Sequence, residues 1–212
     1  PRAVDDEADL NGYVRACWDD DNLYVVVEVH DQSAFPELTQ DVEAWLTDGI
    51  RLYMDPNNSK GAYYSFDDFL YRYIGNEDRM RETIERDANV KNVTAAIGYH
   101  PPSKRSWTDK PKGYFVEAAF AWKTMGVEPK EGHLFGFDAI VQDNDNGQNI
   151  ESRLAWFGDT KNAGESPALL GTFQLVKTMP SGSETAWLPD QIWVEEGGVV
   201  IVEAESIEYN SQ

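Results

Sequence analysis

The sequence contains little cysteine, little positive charge and no long hydrophobic run. A single cysteine among 212 residues excludes an internal disulfide, because a disulfide needs two. Only 18 lysines and arginines stand against 38 acidic residues, and the resulting net charge of −20 repels nucleic acid and anionic membranes. No hydrophobic run approaches the roughly 20 residues of a membrane span. We therefore expect neither nucleic acid nor a membrane as a partner.

Motifs of common enzyme classes are missing as well. None of the three histidines has another His or Cys at the spacing of metal ligands. The sequence has no G-x-S-x-G nucleophile elbow and no glycine-rich phosphate loop. Carboxylates are so abundant that counting them does not exclude a glycosidase pair. The motifs thus give catalysis little support.

What the sequence does contain is a series of short strand patterns separated by turn residues. Its hydrophobic fraction of 41% and charged fraction of 26% are those of a folded globular chain. Strands are predicted at 13–18, 23–30, 50–55, 69–74, 93–99, 114–120, 135–142, 152–157 and 171–176. Residues 79–86 are expected to form a short helical turn. Many short strands with almost no long helical period predict an all-β protein, an antiparallel β-sandwich.

The segment WLTDGIRLYMDPNN at 45–58 combines a core strand with candidate binding residues. Side chains alternate along a strand, so Ile50, Leu52 and Met54 are predicted on one face and Arg51, Tyr53 and Asp55 on the other. In 69–74, the same alternation places Arg72 with Leu70 and Ile74. If these two strands are neighbours, Arg51 and Arg72 share a face with Trp45.

Two arginines on one face suit a carboxylate or sulfate, because guanidinium binds oxyanions bidentately. This pattern favours an acidic sugar. The alternative is that both arginines form salt bridges with Asp48, Asp67 or Asp68.

Seven tryptophans divide into core and candidate surface positions. Trp18, Trp122 and Trp156 lie in hydrophobic segments and are predicted to be buried. Trp45 follows a loop and is a candidate platform for the hydrophobic face of a sugar ring, with a core position as the alternative. Trp107 lies in the polar loop SKRSWTDK, either as a second platform or as a packed loop residue.

An oxygen-rich loop follows the strand at 135–142 and contains Asp143, Asp145 and Asn149. Calcium takes six to eight oxygen ligands, so this loop is a candidate calcium site, although the EF-hand spacing is not met. Asp31 is a further candidate ligand, and the other candidates are Asp19–Asp21, Asp55 and Asp138. The alternative for each is turn chemistry, in which Asp caps its own backbone.

The texture of the sequence changes near its C-terminus. We predict a β-sandwich over residues 1–179, a linker at 180–198 and, at 199–212, either the start of a further β module or a strand that packs back. A further module is the favoured alternative. The chain begins inside what reads as a folded segment, so it is expected to be a piece of a longer protein.

Seven segments in this order resemble the family 9 carbohydrate-binding modules of secreted xylanases. The first four are WDDDNLYVVVEVHD, WLTDGIRLYMDPNN, GAYYSFDDFLYR and YFVEAAFAWKTMG, and the remaining three are FGFDAIVQDNDNGQ, AWFGD and GTFQLV. Together they cover nearly all of residues 13–177. The resemblance implies a non-catalytic β-sandwich of the DOMON/CBM9-like superfamily, attached to an enzyme that acts on polysaccharide.

In those modules two tryptophans sandwich the terminal sugar, and charged and amide side chains bind its hydroxyls. The positions that match family sugar contacts are Trp45, Arg72 and Gln148, and Asn162, a further candidate contact, falls near a family Asn in the same loop. Two positions depart from the pattern: Arg51 stands where the family has a Glu, and Gly164 stands about where it has the second Trp. The resemblance therefore implies the fold more strongly than the terminal-sugar site.

The resemblance also implies structural calcium, for which the candidate ligands are Asp143, Asp145, Asn149 and Asp31. We expect a calcium-stabilised module of a secreted, cell-surface or periplasmic enzyme that binds a polysaccharide or oligosaccharide, with other modules of that enzyme as partners. One alternative is a structural, interdomain β-sandwich that has lost sugar binding. Another is a haem domain of the same superfamily, with Met54 and a His as axial ligands.

Overall fold

The computed structural model describes residues 9–36, 38, 43, 46–74, 79–82, 93–99, 112–158, 164–177 and 199–200. These residues form two antiparallel sheets whose facing sides share one hydrophobic core. The strands are β1 Leu10–Trp18, β2 Asn22–Asp31, β3 Gly49–Asp55, β4 Phe69–Ile74, β5 Arg79–Glu82, β6 Val93–Tyr99, β7 Gly113–Ala121, β8 Leu134–Asp143, β9 Ser152–Ala155, β10 Gly171–Gln174 and β11 Val199–Val200. The predicted antiparallel β-sandwich is confirmed.

The first sheet has the strand order β11-β1-β2-β7-β6. Its central strand, β2, alternates between buried and half-buried residues along its whole length. The valines of β2 are β-branched and suit a pleated surface with one buried face, and Val25, Val27 and Val29 are at most 2% exposed. The strong strand pattern at 23–30 therefore becomes the middle of a sheet.

The second sheet has the order β10-β8-β3-β4-β5 and also contains β9. Strand β8 pairs with β3 along one edge, while β10 pairs with its first half and β9 with its second half. The side of this sheet that faces away from the core is called its outer face below. Strands β3, β4 and β9 bring the candidate binding residues to that face.

The predicted faces of β3 and β4 are confirmed. Ile50, Leu52 and Met54 belong to the core, as do the aromatic residues Phe69, Tyr71 and Tyr73 of the neighbouring strand. Removing such side chains from water is the main favourable contribution to folding. The alternate residues of both strands consequently lie on the outer face.

The three tryptophans predicted to be buried pack in or against the core. Trp18 and Trp122 are 3% and 1% exposed. Their indole N–H groups donate to the carbonyls of Val176 and Asp19, both at 3.0 Å, so burial leaves neither donor unsatisfied. Trp156 stacks on Phe173 with ring centroids 4.7 Å apart at the margin of the core. Met54 is also a core residue, 1% exposed.

The prediction of a helical turn at 79–86 is wrong for the part that the structure describes. Arg79–Glu82 is strand β5, which pairs antiparallel with β4. Strand pairing gives each backbone group a partner at once, whereas so short a helix must first form a costly nucleus. A four-residue helix occurs instead at Trp122–Met125, where no helix was predicted, and ends at Gly126 with φ 69°.

Near the C-terminus, Val199 and Val200 pair with Cys17 and Ala16 of β1. Residues 178–198 and 201–212 lie outside the described part, so the division into sandwich, linker and further module stays a prediction. Cys17 is half-buried. No helix among the described residues is long and hydrophobic enough to cross a membrane.

Candidate functional site

Arg51 and Arg72 are direct cross-strand neighbours on the outer face of the second sheet. The register of β3 and β4 sets them opposite each other. Both are half-buried. Opposed side chains on neighbouring strands have Cβ atoms about 5 Å apart, so the two guanidinium groups share one patch of surface.

A third arginine reaches the same patch from another strand. Arg153 lies on β9 opposite Gln142 of β8, and Gln142 in turn lies opposite Gly49 of β3, two residues before Arg51. Arg153 was not predicted from the sequence. The available signal was the alternation of β9, which turns Leu154 toward the core and therefore Arg153 outward. We call Arg51, Arg72 and Arg153 the arginine face.

Burial and the neighbouring positive charges both disfavour the charged form of these arginines. The pKa of Arg72 is lowered to about 10, chiefly by burial, with contributions from the positive charges of Arg51 and Arg153 that Tyr53 opposes. Burial likewise lowers the pKa of Arg153, again with a contribution from Arg51. Removing a charged group from water and placing like charges beside it both disfavour the charged form.

None of the three has a carboxylate within ion-pair distance among the described residues. Their Nε atoms are buried, and no described atom accepts a hydrogen bond from them. The predicted alternative of salt bridges to Asp48, Asp67 or Asp68 is therefore wrong. Asp48 accepts from the backbone of Phe35 and Asn144, while Asp67 and Asp68 accept from neighbouring loop residues.

A small hydrophobic and aromatic floor lies next to the arginine face. Tyr53, Ile140 and Leu170 form a buried cluster, and Leu70, Ala155 and Tyr64 pack against it. The rings of Tyr53 and Tyr64 lie 6.2 Å apart. Gly164 lies over this floor, since a Cβ there would come within 3.2 Å of the Tyr53 hydroxyl. The position that the resemblance gives to a second Trp is thus close to the arginine face but carries no side chain.

The other predicted sugar-contacting residues are less well defined. Gln148 is exposed in the loop that joins β8 to β9, where its backbone N–H donates to the Asn146 side chain at 2.7 Å. Trp45, Trp107 and Asn162 lie outside the described residues. Their roles stay predictions.

A second cluster of like charges lies where β2 and β8 end and β3 begins. Asp31, Asp48 and Asp143 have carboxylate oxygens within 4.8 Å of one another, and so do Asp9, Asp143 and Asp145. The two groups share Asp143. We call these five residues the acidic cluster; four of them are buried and Asp145 is half-buried.

The electrostatics of the acidic cluster are unfavourable for a protein without a bound cation. Burial, together with the neighbouring carboxylates, raises the pKa of Asp31 to about 7 and that of Asp143 to about 6. Burial also raises the pKa of Asp48 well above its usual value, again with a contribution from Asp31. Among the described residues no Lys or Arg forms an ion pair with the cluster.

Hydrogen bonds satisfy only part of the cluster. Asp31 accepts from the Ser33 backbone and Asp143 from the Ser152 hydroxyl. Asp31 Oδ2 and Asp143 Oδ1 are buried and have no hydrogen-bond partner. A buried carboxylate oxygen without a partner costs about 1–3 kcal/mol or more, so this arrangement suits a cation bound between the carboxylates.

Calcium fits this donor set better than zinc does, because every candidate ligand is an oxygen. The structure brings together three of the four predicted calcium ligands, Asp31, Asp143 and Asp145. Asn149 does not belong to either group; it is exposed, and its backbone N–H donates to the Asn146 side chain. Asp9 and Asp48 were missed as candidates, since strand pairing alone brings them to Asp143.

Three further calcium candidates, Asp19, Asp55 and Asp138, have turn roles instead. Asp19 accepts hydrogen bonds from the backbones of Asp21 and Asn22. Asp55 accepts from two backbone N–H groups of the turn after β3, and Asp138 accepts from the backbones of residues 139, 157 and 158. These carboxylates stabilise local backbone structure, as Asp commonly does in turns.

Comparison with known proteins gives a consistent result. A family model described as "Carbohydrate family 9 binding domain-like" matches residues 2–178. Endo-1,4-beta-xylanase A of Thermotoga neapolitana is 31% identical over 173 residues, which are 81% of this chain and 14% of the xylanase. The chain therefore spans only a small part of that relative.

Two solved structures share the fold. One is a family 9 carbohydrate-binding module from Caldicellulosiruptor kristjanssonii in complex with cellotriose, with a TM-score of 0.65 and 22% identity over 89% of this chain and 86% of that one. A module from the same organism in complex with glucose has a TM-score of 0.64 and 23% identity over 87% and 86% of the two chains. At these identities the similarity shows the fold alone.

Proposed function

Because the chain belongs to the family 9 carbohydrate-binding domains, we propose that it binds an oligosaccharide or polysaccharide on the arginine face. Members of this family are binding modules without catalytic activity. The related modules that were solved with cellotriose and glucose support a sugar as the ligand. Holding a sugar requires no reaction, only a surface that matches its hydroxyls and its hydrophobic C–H faces.

The observation that carries this proposal is the combination of a hydrophobic floor and polar groups with unused hydrogen-bonding capacity. The half-buried members of the floor, Leu70, Tyr64 and Ala155, offer hydrophobic surface to the sugar ring, while Arg51 and Arg72 offer N–H donors to its oxygens. Trp45, four residues before β3 in the sequence, is proposed to supply an aromatic ring. Trp107, Gln148 and Asn162 are the further contacts. The two arginines suit an acidic sugar.

We further propose that calcium binds the acidic cluster and stabilises the domain. Asp31, Asp48 and Asp143 would hold the ion on one side and Asp9 and Asp145 on the other. Calcium would supply positive charge to five carboxylates that otherwise repel one another. Because the cluster joins β2, β3 and β8, the ion would tie the end of β2 in one sheet to the start of β3 and the end of β8 in the other.

The relatives suggest the setting in which binding matters. The chain covers 14% of a xylanase, which supports a role as one module of a larger secreted, cell-surface or periplasmic enzyme. Tethering an enzyme to its polysaccharide raises the local concentration of substrate. The other modules of that enzyme would then be its partners.

A structural role between domains is the second candidate function. The resemblance gives Gly164 about the position of the second sugar-binding Trp, and half of the aromatic sandwich of the family would then be missing. In that case the arginine face would contact another module of the enzyme, and no sugar would bind.

Calorimetric titration of the calcium-loaded protein with cello- and xylo-oligosaccharides, neutral and acidic, tests the proposal. We expect saturable binding that Trp45→Ala weakens by about 30-fold, the effect of losing an aromatic anchor worth about 2 kcal/mol. Tyr13→Ala, a half-exposed aromatic residue of the other sheet, is the matched control and should bind as the unaltered protein does. Absence of binding to every sugar, with the protein folded, would favour the interdomain role.

A further inference from the structure

The arginine face concentrates positive charge in a chain that has very little. Three of only 18 basic residues contribute to it, although the net charge is −20. By register alone, Arg81 of β5 stands beside Arg72, so arginine positions occupy three adjacent strands in one row. Like charges directly opposite each other destabilise a sheet, so folding alone does not explain this row.

The described surroundings do not neutralise these charges. The ionic contacts seen among the described residues lie on the first sheet, where Arg15 and His30 both contact Glu28 at 3.1 Å. Burial lowers the pKa of Arg72 and of Arg153, and the positive charge of Arg51 beside them adds to the effect. A bound anion would stabilise the charged form of these arginines.

The shape of the arginine side chains restricts the chemical class of the ligand further. A guanidinium fork binds planar carboxylates and tetrahedral oxyanions through two parallel N–H···O bonds, which a neutral hydroxyl cannot match. The floor lies beside the forks, and its half-buried members Leu70, Tyr64 and Ala155 can accept the hydrophobic face of a ring. One ligand satisfies both features when it is a sugar that carries a charged substituent.

We propose that Arg153 acts together with Arg51 and Arg72 to bind a carboxylate or sulfate group on the sugar, which makes this face specific for acidic oligosaccharides. This inference rests on the proposed function, since it names the ligand class of the same site. Arg153 would be the specificity-determining residue, because it adds charge from a strand that the matched sugar contacts do not use.

Matched pairs of ligands separate charge from sugar identity. The calcium-loaded protein is titrated with a xylo-oligosaccharide with and without a glucuronate substituent, and with a galactan oligosaccharide with and without a sulfate. We expect the charged member of at least one pair to bind about 10- to 100-fold more tightly, the effect of hydrogen bonds to a charged group. The pair with the larger ratio identifies carboxylate or sulfate.

Arg153→Gln should remove most of that ratio, because it should weaken binding of the charged member far more than binding of the neutral one, while Arg153→Lys should restore part of the ratio. Arg15→Gln, an exposed arginine on the other sheet, is the control and should leave the ratio unchanged. The thermal midpoint of Arg153→Gln should equal or exceed that of the unaltered protein, since a repelling charge is removed.

Equal binding of charged and neutral members would overturn this inference and leave the proposed function intact. The same would follow if Arg153→Gln weakened both members equally, or if Arg15→Gln lowered the ratio as much as Arg153→Gln did. Absence of binding to all four oligosaccharides would overturn the proposed function as well.

Discussion

The arginine face and the acidic cluster are two groups of like charge that differ in depth. The acidic cluster is enclosed where the strand ends of both sheets meet, and four of its five carboxylates are buried. The arginine face is half-buried on the outside of one sheet. Both lack an opposite charge among the described residues. The enclosed acidic cluster suits a small ion that stabilises the fold, whereas the open arginine face suits a larger ligand that binds reversibly.

Of the changes considered, removing calcium from the acidic cluster should lower the stability of the domain most. Chelation should lower the free energy of unfolding by about 3–4 kcal/mol if calcium is present at 100 to 1,000 times its dissociation constant. For a domain of this size, the midpoint of thermal unfolding should fall by roughly 10 °C. Differential scanning calorimetry with and without chelator measures this, and an unchanged midpoint would contradict calcium binding.

Asp31→Asn sharpens the assignment of the ligands. The variant should lose most of the calcium-dependent rise in the unfolding midpoint, because it removes one charged ligand from the centre of the cluster. Asp20→Asn, at an exposed position, is the control and should keep the full rise. If both variants respond to calcium as the unaltered protein does, the ion binds elsewhere.

The next largest effect should be that of pH on the stability of the calcium-free protein. Asp31 and Asp143 have pKa values of about 7 and about 6 in the folded state, above the 3.8 of free Asp, chiefly because they are buried. The folded state therefore holds more protons than the unfolded state between about pH 4 and 7. Stability of the calcium-free protein should fall as pH rises through that window.

Chemical denaturation at pH 5 and pH 8 in the presence of chelator measures this dependence. Calcium should reverse it, because the ion needs ionised carboxylates and binds better at high pH. Greater stability at pH 8 than at pH 5 without calcium would show that the carboxylates ionise in the folded state without cost.

Arg51→Glu changes the arginine face and should alter the free energy of unfolding less than the loss of calcium does. The substitution introduces the residue type of the family and sets it directly opposite Arg72. We expect affinity for acidic oligosaccharides to fall by at least about tenfold, since an added negative charge repels the ligand. The opposed pair of unlike charges should raise the free energy of unfolding by about 0.2–1 kcal/mol.

Titration calorimetry and denaturation of the same Arg51→Glu preparation measure both quantities. Arg15→Glu is the control, because it changes net charge equally on the other sheet. An equal loss of affinity in both variants would mean that long-range charge, rather than contact with Arg51, governs binding.

Local pattern predicted the sheets well where alternation was regular. The faces of β3 and β4 followed from the side-chain period, and so did the shared face of Arg51 and Arg72 once the two strands are neighbours. Their position directly opposite each other depends on the register, which the sequence does not contain. Strand β5 was misread because its four residues are too few to show a period. Its strand conformation comes from pairing with β4, which is a tertiary interaction.

The sites were only partly predictable, because they are assembled from distant segments. The oxygen-rich loop predicted Asp143 and Asp145 as calcium ligands, whereas Asp48 was predicted as a salt-bridge partner of the arginines. Only the pairing of β3 with β8 brings Asp48 to Asp143. Arg153 could be assigned an outward direction from β9 alone. Its proximity to Arg51 follows from β9 and β3 both pairing with β8, which no local pattern contains.

The most direct test is a crystal structure of the calcium-loaded protein with a glucuronate-bearing xylo-oligosaccharide. The account predicts an ion between Asp31, Asp48 and Asp143, and a sugar on the outer face of β3, β4 and β9 with its carboxylate in hydrogen-bond contact with the arginine face. A sugar bound elsewhere, with the arginine face uncovered, would contradict it.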